Sequence, residues 1–144
     1  MLIILKSRNN ITICVDSIQF LDCQEALGME NGAILDGQIT ASSQWDDNLA
    51  PFQGRLYFQE TGKKQGGWSA GQRNSRQWLQ VYLGSQFAKV TRVATQGRNG
   101  CCNQWVLLYK LQYSNNGVNF HYYREQGQTE DKVMSNSQLL PHAV

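Results

Sequence analysis

Short apolar stretches, separated by residues that favour turns, run along most of this chain. The clearest pair lies at residues 105–113 (WVLLYKLQY) and 118–123 (VNFHYY), both rich in side chains that favour strands. Between them stands Ser-Asn-Asn-Gly, in which Asn and Gly reach a positive φ at low cost, so the pattern predicts a β-hairpin. Side chains alternate along a strand, and one face of the first strand is expected to carry Leu107, Tyr109, Leu111 and Tyr113.

Three further stretches upstream of the hairpin are interpreted as strands. Residues 78–83 alternate in a way that predicts three core-facing side chains: Leu79, Val81 and Leu83. Residues 90–95 form a second candidate, and residues 34–43 form a weaker one that Asp36-Gly37 interrupts. No stretch shows sustained helical periodicity. Several short strands punctuated by turns predict an all-β sandwich or barrel.

The length of the chain indicates the number of domains, and its charged residues are distributed unevenly along the sequence. The chain has 144 residues, which suits one domain with one core, and it has no apolar run long enough to cross a bilayer. Its net charge is only +2. Residues 9–54 hold seven acids and no Lys or Arg, whereas residues 55–98 hold eight basic residues and one acid. Either the two segments face and neutralise each other, or the basic one forms a surface for an anionic partner.

The N-terminus and the cysteines bear on the compartment in which the protein folds. The apolar run Met1–Leu5 is too short for the core of a signal peptide, and basic residues follow it, so residues 1–22 are interpreted as an N-terminal extension. The four cysteines, an even count, permit disulfides in an extracellular setting. Cys101 and Cys102 are adjacent and could pair with each other only under strain. The cysteine spacing matches no zinc motif.

Five strings in a fixed order carry a family resemblance. They are CQEALGMENGAILDGQITASSQW (23–45), GWSA (67–70), WLQVYLG (78–84), KVTRVATQGR (89–98) and WVLLYKLQYSNNGVNF (105–120). Together they resemble the discoidin domain, also called the coagulation factor 5/8 type C domain. The resemblance implies a discoidin-type jelly-roll β-sandwich (galactose-binding-domain-like) over residues 23–144. It also implies an extracellular, non-catalytic module that binds ligand through loops, or spikes, at one end of the sandwich.

Mapped onto this chain, the resemblance puts the three spikes at residues 44–54, 62–77 and 97–104. Apolar and basic side chains in them are the candidate ligand-binding residues: Trp45, Leu49, Phe52, Lys63, Lys64, Arg73, Arg76, Arg98 and Asn99. Leu49 and Phe52 are expected at the exposed tip of the first spike, and Trp45 is expected to be partly buried as its support. Trp68 is expected to support the second spike. The alternatives are apolar side chains packed beneath the loops and basic side chains that are merely solvated.

The expected partner is a glycan or glycoprotein of the cell surface or matrix, and the alternative is an anionic membrane surface. Asp46 and Asp47 beside the first tip oppose insertion into an anionic bilayer. No nucleic-acid partner is expected. An enzyme is not expected either, because no nucleophile motif is present. A third alternative is a structural role in self-association through exposed sheet edges.

The resemblance leaves the metal, the disulfides and the C-terminus open. No cofactor is expected, although the resemblance allows calcium, with Asp36 as the candidate ligand; Ca²⁺ needs six to eight oxygens. The disulfide candidates are Cys23, Cys101 and Cys102. The family continues through further strands to a closing cysteine, whereas this chain ends at Leu140-Pro-His-Ala-Val. The last strands are therefore expected to be missing.

Overall fold

The computed structural model describes residues 2–5, 11–15, 27–84, 90–100, 102 and 104–135, with the backbone alone for the first two ranges. Eight strands lie in these ranges: β1 Leu2–Leu5, β2 Ile11–Val15, β3 Ile39–Ala41, β4 Leu79–Tyr82, β5 Val90–Thr95, β6 Leu108–Ser114, β7 His121–Tyr122 and β8 Val133–Ser135. Single-turn 3-10 helices occupy Asp36–Gln38, Asp47–Leu49 and Pro51–Gly54. The same ranges contain no α-helix, and hence no helix long and apolar enough to cross a bilayer.

The strands form two antiparallel sheets. The larger sheet has the order β3-β4-β1-β6-β7, with β8 also paired to β6, and the smaller sheet pairs β2 with β5. The prediction of an all-β fold is confirmed. The expectation that the last strands are missing stays a prediction.

Residues 1–22 were expected to be an extension, but two strands within that range belong to the sheets. β1 lies between β4 and β6, with Leu5 opposite both Leu79 and Leu111. β2 pairs with β5. This expectation is wrong for residues 2–5 and 11–15, because a short apolar run is also typical of a strand in the middle of a sheet. The rest of the proposed boundary stays a prediction.

The predicted alternation of β4 is confirmed. Leu79 and Val81 are fully buried, and the half-buried Leu83 packs against the same core. β5 has the predicted bounds, Val90–Thr95. Residues 34–43 contain only the three-residue strand β3, because Asp36-Gly37 forms a 3-10 turn.

The predicted hairpin is present, with a longer turn and shorter strands. Ser114 Oγ accepts hydrogen bonds from the amides of Asn116 (3.3 Å) and Gly117 (3.0 Å), and Asn116 Oδ1 accepts from Val118 (3.0 Å). These bonds hold the turn, so β7 begins only at His121. Leu107 was expected to share a face with Tyr109 but is 66% exposed, because it precedes the first residue of β6.

The core lies beside the loops that were mapped as spikes. Its buried members come from the loops as well as the strands: Met29, Ile34, Ile39, Trp68, Ala70, Leu79, Val81, Val106 and Tyr109. Trp68, which is 2% exposed, donates Nε1 to the carbonyl of Ser43 at 2.9 Å, so its predicted supporting role is confirmed. The base of the loops is therefore continuous with the core.

Candidate functional site

Three loops at one end of the sheets contact one another through their backbones. We call them the first loop (residues 44–54), the second loop (62–77) and the third loop (97–104), and together the loop cluster. The first and second loops are joined by the amides of Trp45, Gln65 and Ser69, which donate to carbonyls of the opposite loop at 2.8, 2.9 and 3.3 Å. The second and third loops are joined by the amide of Asn99, which donates to the Gly66 carbonyl at 3.0 Å. The structure thus brings the three predicted spikes together.

Gln53 ties the first loop to the second from within, and sequence reasoning missed it. The side chain is fully buried. Its Nε2 donates to the carbonyls of Asn48 and Gln65, each at 2.6 Å, and its Oε1 accepts from the amide of Ala50 at 2.9 Å. Glutamine is usually exposed, and nothing in the local sequence marks this one as different.

Gln53→Met is expected to lower the free energy of unfolding by about 2 kcal/mol, measured by urea denaturation. The variant keeps the length of the side chain but leaves the half-buried Gln65 carbonyl and the buried Ala50 amide without their partner, while the Asn48 carbonyl keeps its bond from the Gln65 amide. The matched control is Gln59→Met, because Gln59 is exposed and should change stability by less than about 0.5 kcal/mol. A loss below about 1 kcal/mol in Gln53→Met would show that water replaces these hydrogen bonds.

The apolar side chains of the first loop point opposite to expectation. Trp45, expected to be partly buried, is 59% exposed, whereas Leu49, expected at the tip, is 5% exposed. Leu49 ends the 3-10 turn that begins at Asp47, and this turn carries its side chain under the loop. Asp46 holds the start of the turn, because its Oδ1 accepts from the amide of Asn48 at 2.8 Å.

Phe52 is also not at an exposed tip. The ring is half-buried against the core and meets Phe58 edge-on, with centroids 6.1 Å apart. Lys64 Nζ lies 5.1 Å from the Phe52 ring centroid, in cation–π geometry. Phe52 therefore packs beneath the loops and holds a cation above it.

The second loop presents its basic residues to solvent. Thr61 and Lys64 exchange backbone hydrogen bonds of 2.9 and 3.0 Å, which makes a tight turn with Gly62 at φ 58°. Lys63 is exposed within this turn, and Lys64 is exposed beside it, as predicted. Arg73 and Arg76 are exposed further along the same loop. All four are therefore accessible to an anionic group.

The third loop uses its predicted ligand-binding residues largely to hold itself in place. Arg98 donates Nη1 to the side-chain oxygen of Gln104 at 3.0 Å, and its amide donates to the Gln104 carbonyl at 2.9 Å. Asn99 Oδ1 accepts from the amide of Glu60 at 3.3 Å. Both residues are half-buried. Their role in binding stays a prediction.

Cys102, one of the three disulfide candidates, is disulfide-bonded. It is exposed in the third loop and has a positive φ of 67°. The other two candidates, Cys23 and Cys101, lie outside the described residues.

Asp36, the candidate calcium ligand, is the ion-pair partner of Arg55. Its Oδ1 accepts from Arg55 Nε at 3.2 Å and from Nη2 at 2.6 Å. Arg55 is 8% exposed and also donates to the carbonyls of Met29 (3.1 Å) and Ile34 (2.6 Å). Within the described ranges no three acidic, His or Cys side chains cluster as metal ligands. The calcium expectation stays a prediction.

The two interpretations of the charge asymmetry each describe part of the molecule. Asp36 and Arg55 come from the acidic and the basic segment and neutralise each other. Lys63, Lys64 and Arg73, by contrast, are exposed on the loop cluster. An anionic ligand at the loop cluster would therefore meet exposed cations.

Tyr57 is a further candidate that sequence reasoning missed. Its side chain is 59% exposed, and its amide donates to Gln96 Oε1 at 3.1 Å, beside the third loop. The residue has a positive φ of 56°, which is uncommon for a tyrosine. A positive φ depends on the surrounding fold, so the sequence carries no signal for this position.

Comparison with known proteins gives a consistent set of relatives. A model of the F5/8 type C domain matches residues 38–142. Coagulation factor V of Sus scrofa is 38% identical over 126 residues, which cover 83% of this chain and 5% of that protein. Lactadherin of Rattus norvegicus is 42% identical over 112 residues, which cover 73% of this chain and 25% of that protein. Neuropilin-1 of Homo sapiens is 42% identical over 98 residues, which cover 66% of this chain and 10% of that protein. The chain spans a quarter or less of each of these relatives. No solved structure matches it.

Proposed function

Because the chain belongs to the F5/8 type C domain family, we propose that it is a non-catalytic recognition module that binds glycans or glycoproteins of the cell surface or matrix. The loop cluster is the proposed binding surface. An extracellular or cell-surface location is part of the proposal. It is supported by the disulfide at Cys102, because disulfides persist in oxidising compartments.

The exposed indole of Trp45 is the observation that carries this proposal. The side chain is 59% exposed, while its backbone amide is anchored to the Ser69 carbonyl at 2.8 Å. A large flat ring on an anchored loop offers contact area at low entropic cost, and such rings are enriched in binding surfaces. The apolar face of a sugar ring is a suitable partner for it.

Polar groups beside Trp45 are suited to sugar hydroxyls. Gln44 and Asp47 are both exposed, and Gln44 Nε2 donates to Asp47 Oδ1 at 2.9 Å. Their remaining donor and acceptor positions could bond hydroxyl groups around a sugar stacked on the indole. Apolar contact with a few placed polar groups is typical of small-ligand sites.

Burial in the first loop favours a glycan over insertion into a membrane. Of its three candidate apolar side chains, Leu49 is buried and Phe52 is half-buried, which leaves Trp45. Asp46 and Asp47, both exposed, directly follow Trp45 in the chain. Carrying these carboxylates to an anionic bilayer would add repulsion and a cost of desolvation.

Binding to an anionic phospholipid surface is the second candidate, favoured by the exposed cations of the second loop. Lys63, Lys64, Arg73 and Arg76 are all exposed. Each Lys or Arg close to an anionic membrane contributes about 1 kcal/mol of attraction. Such binding would weaken strongly as salt is added.

Trp45→Ala is expected to lower the signal on a glycan array at least about tenfold, because an exposed aromatic anchor contributes about 2 kcal/mol or more. The matched control is Val118→Ala: Val118 is 76% exposed, but it lies in the turn that follows β6, away from the third loop. This control should bind as the unmodified chain does.

Sedimentation with phosphatidylserine vesicles separates the two candidates. Strong, salt-sensitive sedimentation together with no signal on the glycan array would overturn the glycan proposal in favour of phospholipid. The double variant Lys63→Glu/Lys64→Glu should then abolish sedimentation. Absence of both signals would contradict both candidates.

A further inference from the structure

A concave surface lies between β5 and the β6–β7 hairpin, and none of its described lining residues belongs to the loop cluster. It has a volume of about 810 Å³ and is lined by side chains of β5, β6, β7 and β8. Cavities of roughly 300–1,000 Å³ are typical of small-molecule sites. β5 runs towards the third loop and β6 runs away from it, so both strands extend from the loop cluster into the wall of this groove. We call it the aromatic groove.

An open part of the core-facing side of β6 forms one wall of the groove. Tyr109, Leu111 and Tyr113 alternate along the strand and therefore share a face. Tyr109 is 9% exposed, and burial raises the pKa of its hydroxyl. Tyr113 on the same face is 42% exposed, with its ring centroid 5.9 Å from that of His121. The apolar wall is thus covered at one end and open at the other.

Two arginines are among the described residues that line the groove. Arg92 and Arg124 line the groove, and both are exposed. Asp131 Oδ1 accepts from Arg124 Nε at 3.1 Å, and its Oδ2 accepts from Lys110 Nζ at 3.2 Å. Lys110 and Asp131 are not among the described lining residues, so the groove itself presents two cations, of which Arg124 is paired with a carboxylate.

The neighbouring charges reduce this positive balance without reversing it, because Glu130, exposed and next in the chain to Asp131, adds another carboxylate. Glu125, next in the chain to Arg124, is paired with Lys132 at 2.8 Å. Burial would raise the pKa of Asp131, but the hydrogen bonds from Lys110 and Arg124 lower it below its usual value. The carboxylate of Asp131 is therefore negatively charged at neutral pH. The groove therefore joins an aromatic wall to a positive rim.

We propose that the aromatic groove binds an amphipathic organic anion: a carboxylate or sulfonate attached to an alkyl chain or aromatic ring. The anionic group would lie at Arg92 and Arg124, because guanidinium groups bind planar anions through paired hydrogen bonds. The apolar part would cover the exposed ring of Tyr113. A free molecule is the intended ligand, since the groove is a concave gap between sheets and its volume suits one small molecule.

Titration of the full chain with 1-anilinonaphthalene-8-sulfonate, an aromatic sulfonate whose fluorescence rises on binding, tests this directly. Saturable binding of one dye per chain is expected, with displacement by dodecanoate but not by dodecanol. Arg92→Glu should weaken dye binding at least about tenfold by reversing a charge at the rim. The control is Thr40→Glu, which adds a negative charge at an exposed position of β3, outside the described lining of the groove and outside the loop cluster, and should leave dye binding unchanged.

Five results would overturn the proposal, and four of them are read from the titrations. The first is that the dye shows no saturable binding, and the second is that dodecanol displaces the dye as well as dodecanoate does. The third is that Arg92→Glu binds the dye as tightly as the unmodified chain. The fourth is that free dodecanoate does not bind, whereas phospholipid vesicles with dodecanoyl chains do. Near-UV circular dichroism must remain native during the titration. A lost signal would show that the dye binds a partly unfolded chain, and this result too would overturn the proposal. Because the loop cluster is not involved, failure here is independent of the glycan test.

Discussion

Arg55→Met is expected to lower the free energy of unfolding by about 3 kcal/mol, a large part of the roughly 5–15 kcal/mol that stabilises a typical domain. The buried guanidinium satisfies the carbonyls of Met29 and Ile34 and the carboxylate of Asp36 at once. Met fills a similar volume, so the expected loss comes from two carbonyls left without a donor. Asp36 contributes less to the loss, because its side chain is 63% exposed and can be hydrated.

Urea denaturation of three variants separates these contributions. Asp36→Asn removes the charge but keeps an acceptor, so it should cost about 1 kcal/mol, less than Arg55→Met. Arg76→Met is the control for loss of a guanidinium, because Arg76 is exposed and should change stability by less than about 0.5 kcal/mol. If Arg55→Met and Arg76→Met unfold at the same urea concentration, the buried hydrogen bonds contribute nothing to stability.

Gly66→Ala is expected to cost about 2–3 kcal/mol and to separate the second loop from the third. A methyl group at Gly66 would lie 2.6 Å from the carbonyl carbon of Asn99 and closer still to its oxygen. These are backbone atoms, and no side-chain rotation can relieve the contact. The loops would have to move apart, which would lengthen or break the bond from the Asn99 amide to the Gly66 carbonyl.

Hydrogen exchange at the Asn99 amide measures that separation, and thermal denaturation measures its cost. Exchange should accelerate in Gly66→Ala, because the amide loses its acceptor. Gly37→Ala is the matched control: apart from Gly37 and its two chain neighbours, no described residue has an atom within 4 Å of the added methyl group, so stability should change by less than about 0.5 kcal/mol. Unchanged exchange together with unchanged stability in Gly66→Ala would show that the two loops are not in contact at this point.

How far the site could be predicted differs between its charged and its apolar residues. Exposure of Lys63 and Lys64 was predictable, because two lysines beside glycines favour a solvated turn. The apolar residues of the first loop were placed wrongly, because exposure depends on what lies beneath the loop. Leu49 is buried and Phe52 packs against the core, whereas Trp45 is mostly exposed. Hydrophobicity alone cannot distinguish an anchor directed inward from one directed at a ligand.

The sequence by itself determined the all-β class, the alternation of β4 and the position of the β6–β7 turn. These follow from neighbours one or two residues apart, since alternation and positive-φ turns are local properties. The tertiary structure alone decided the rest: β1 between β4 and β6, the three hydrogen bonds of Gln53, and the pairing of Arg55 with Asp36. Each of these depends on partners distant in the chain, and a pattern of neighbouring residues carries no information about them. Neighbouring residues decide where a turn forms, whereas contacts between distant residues decide which loop side chains are exposed.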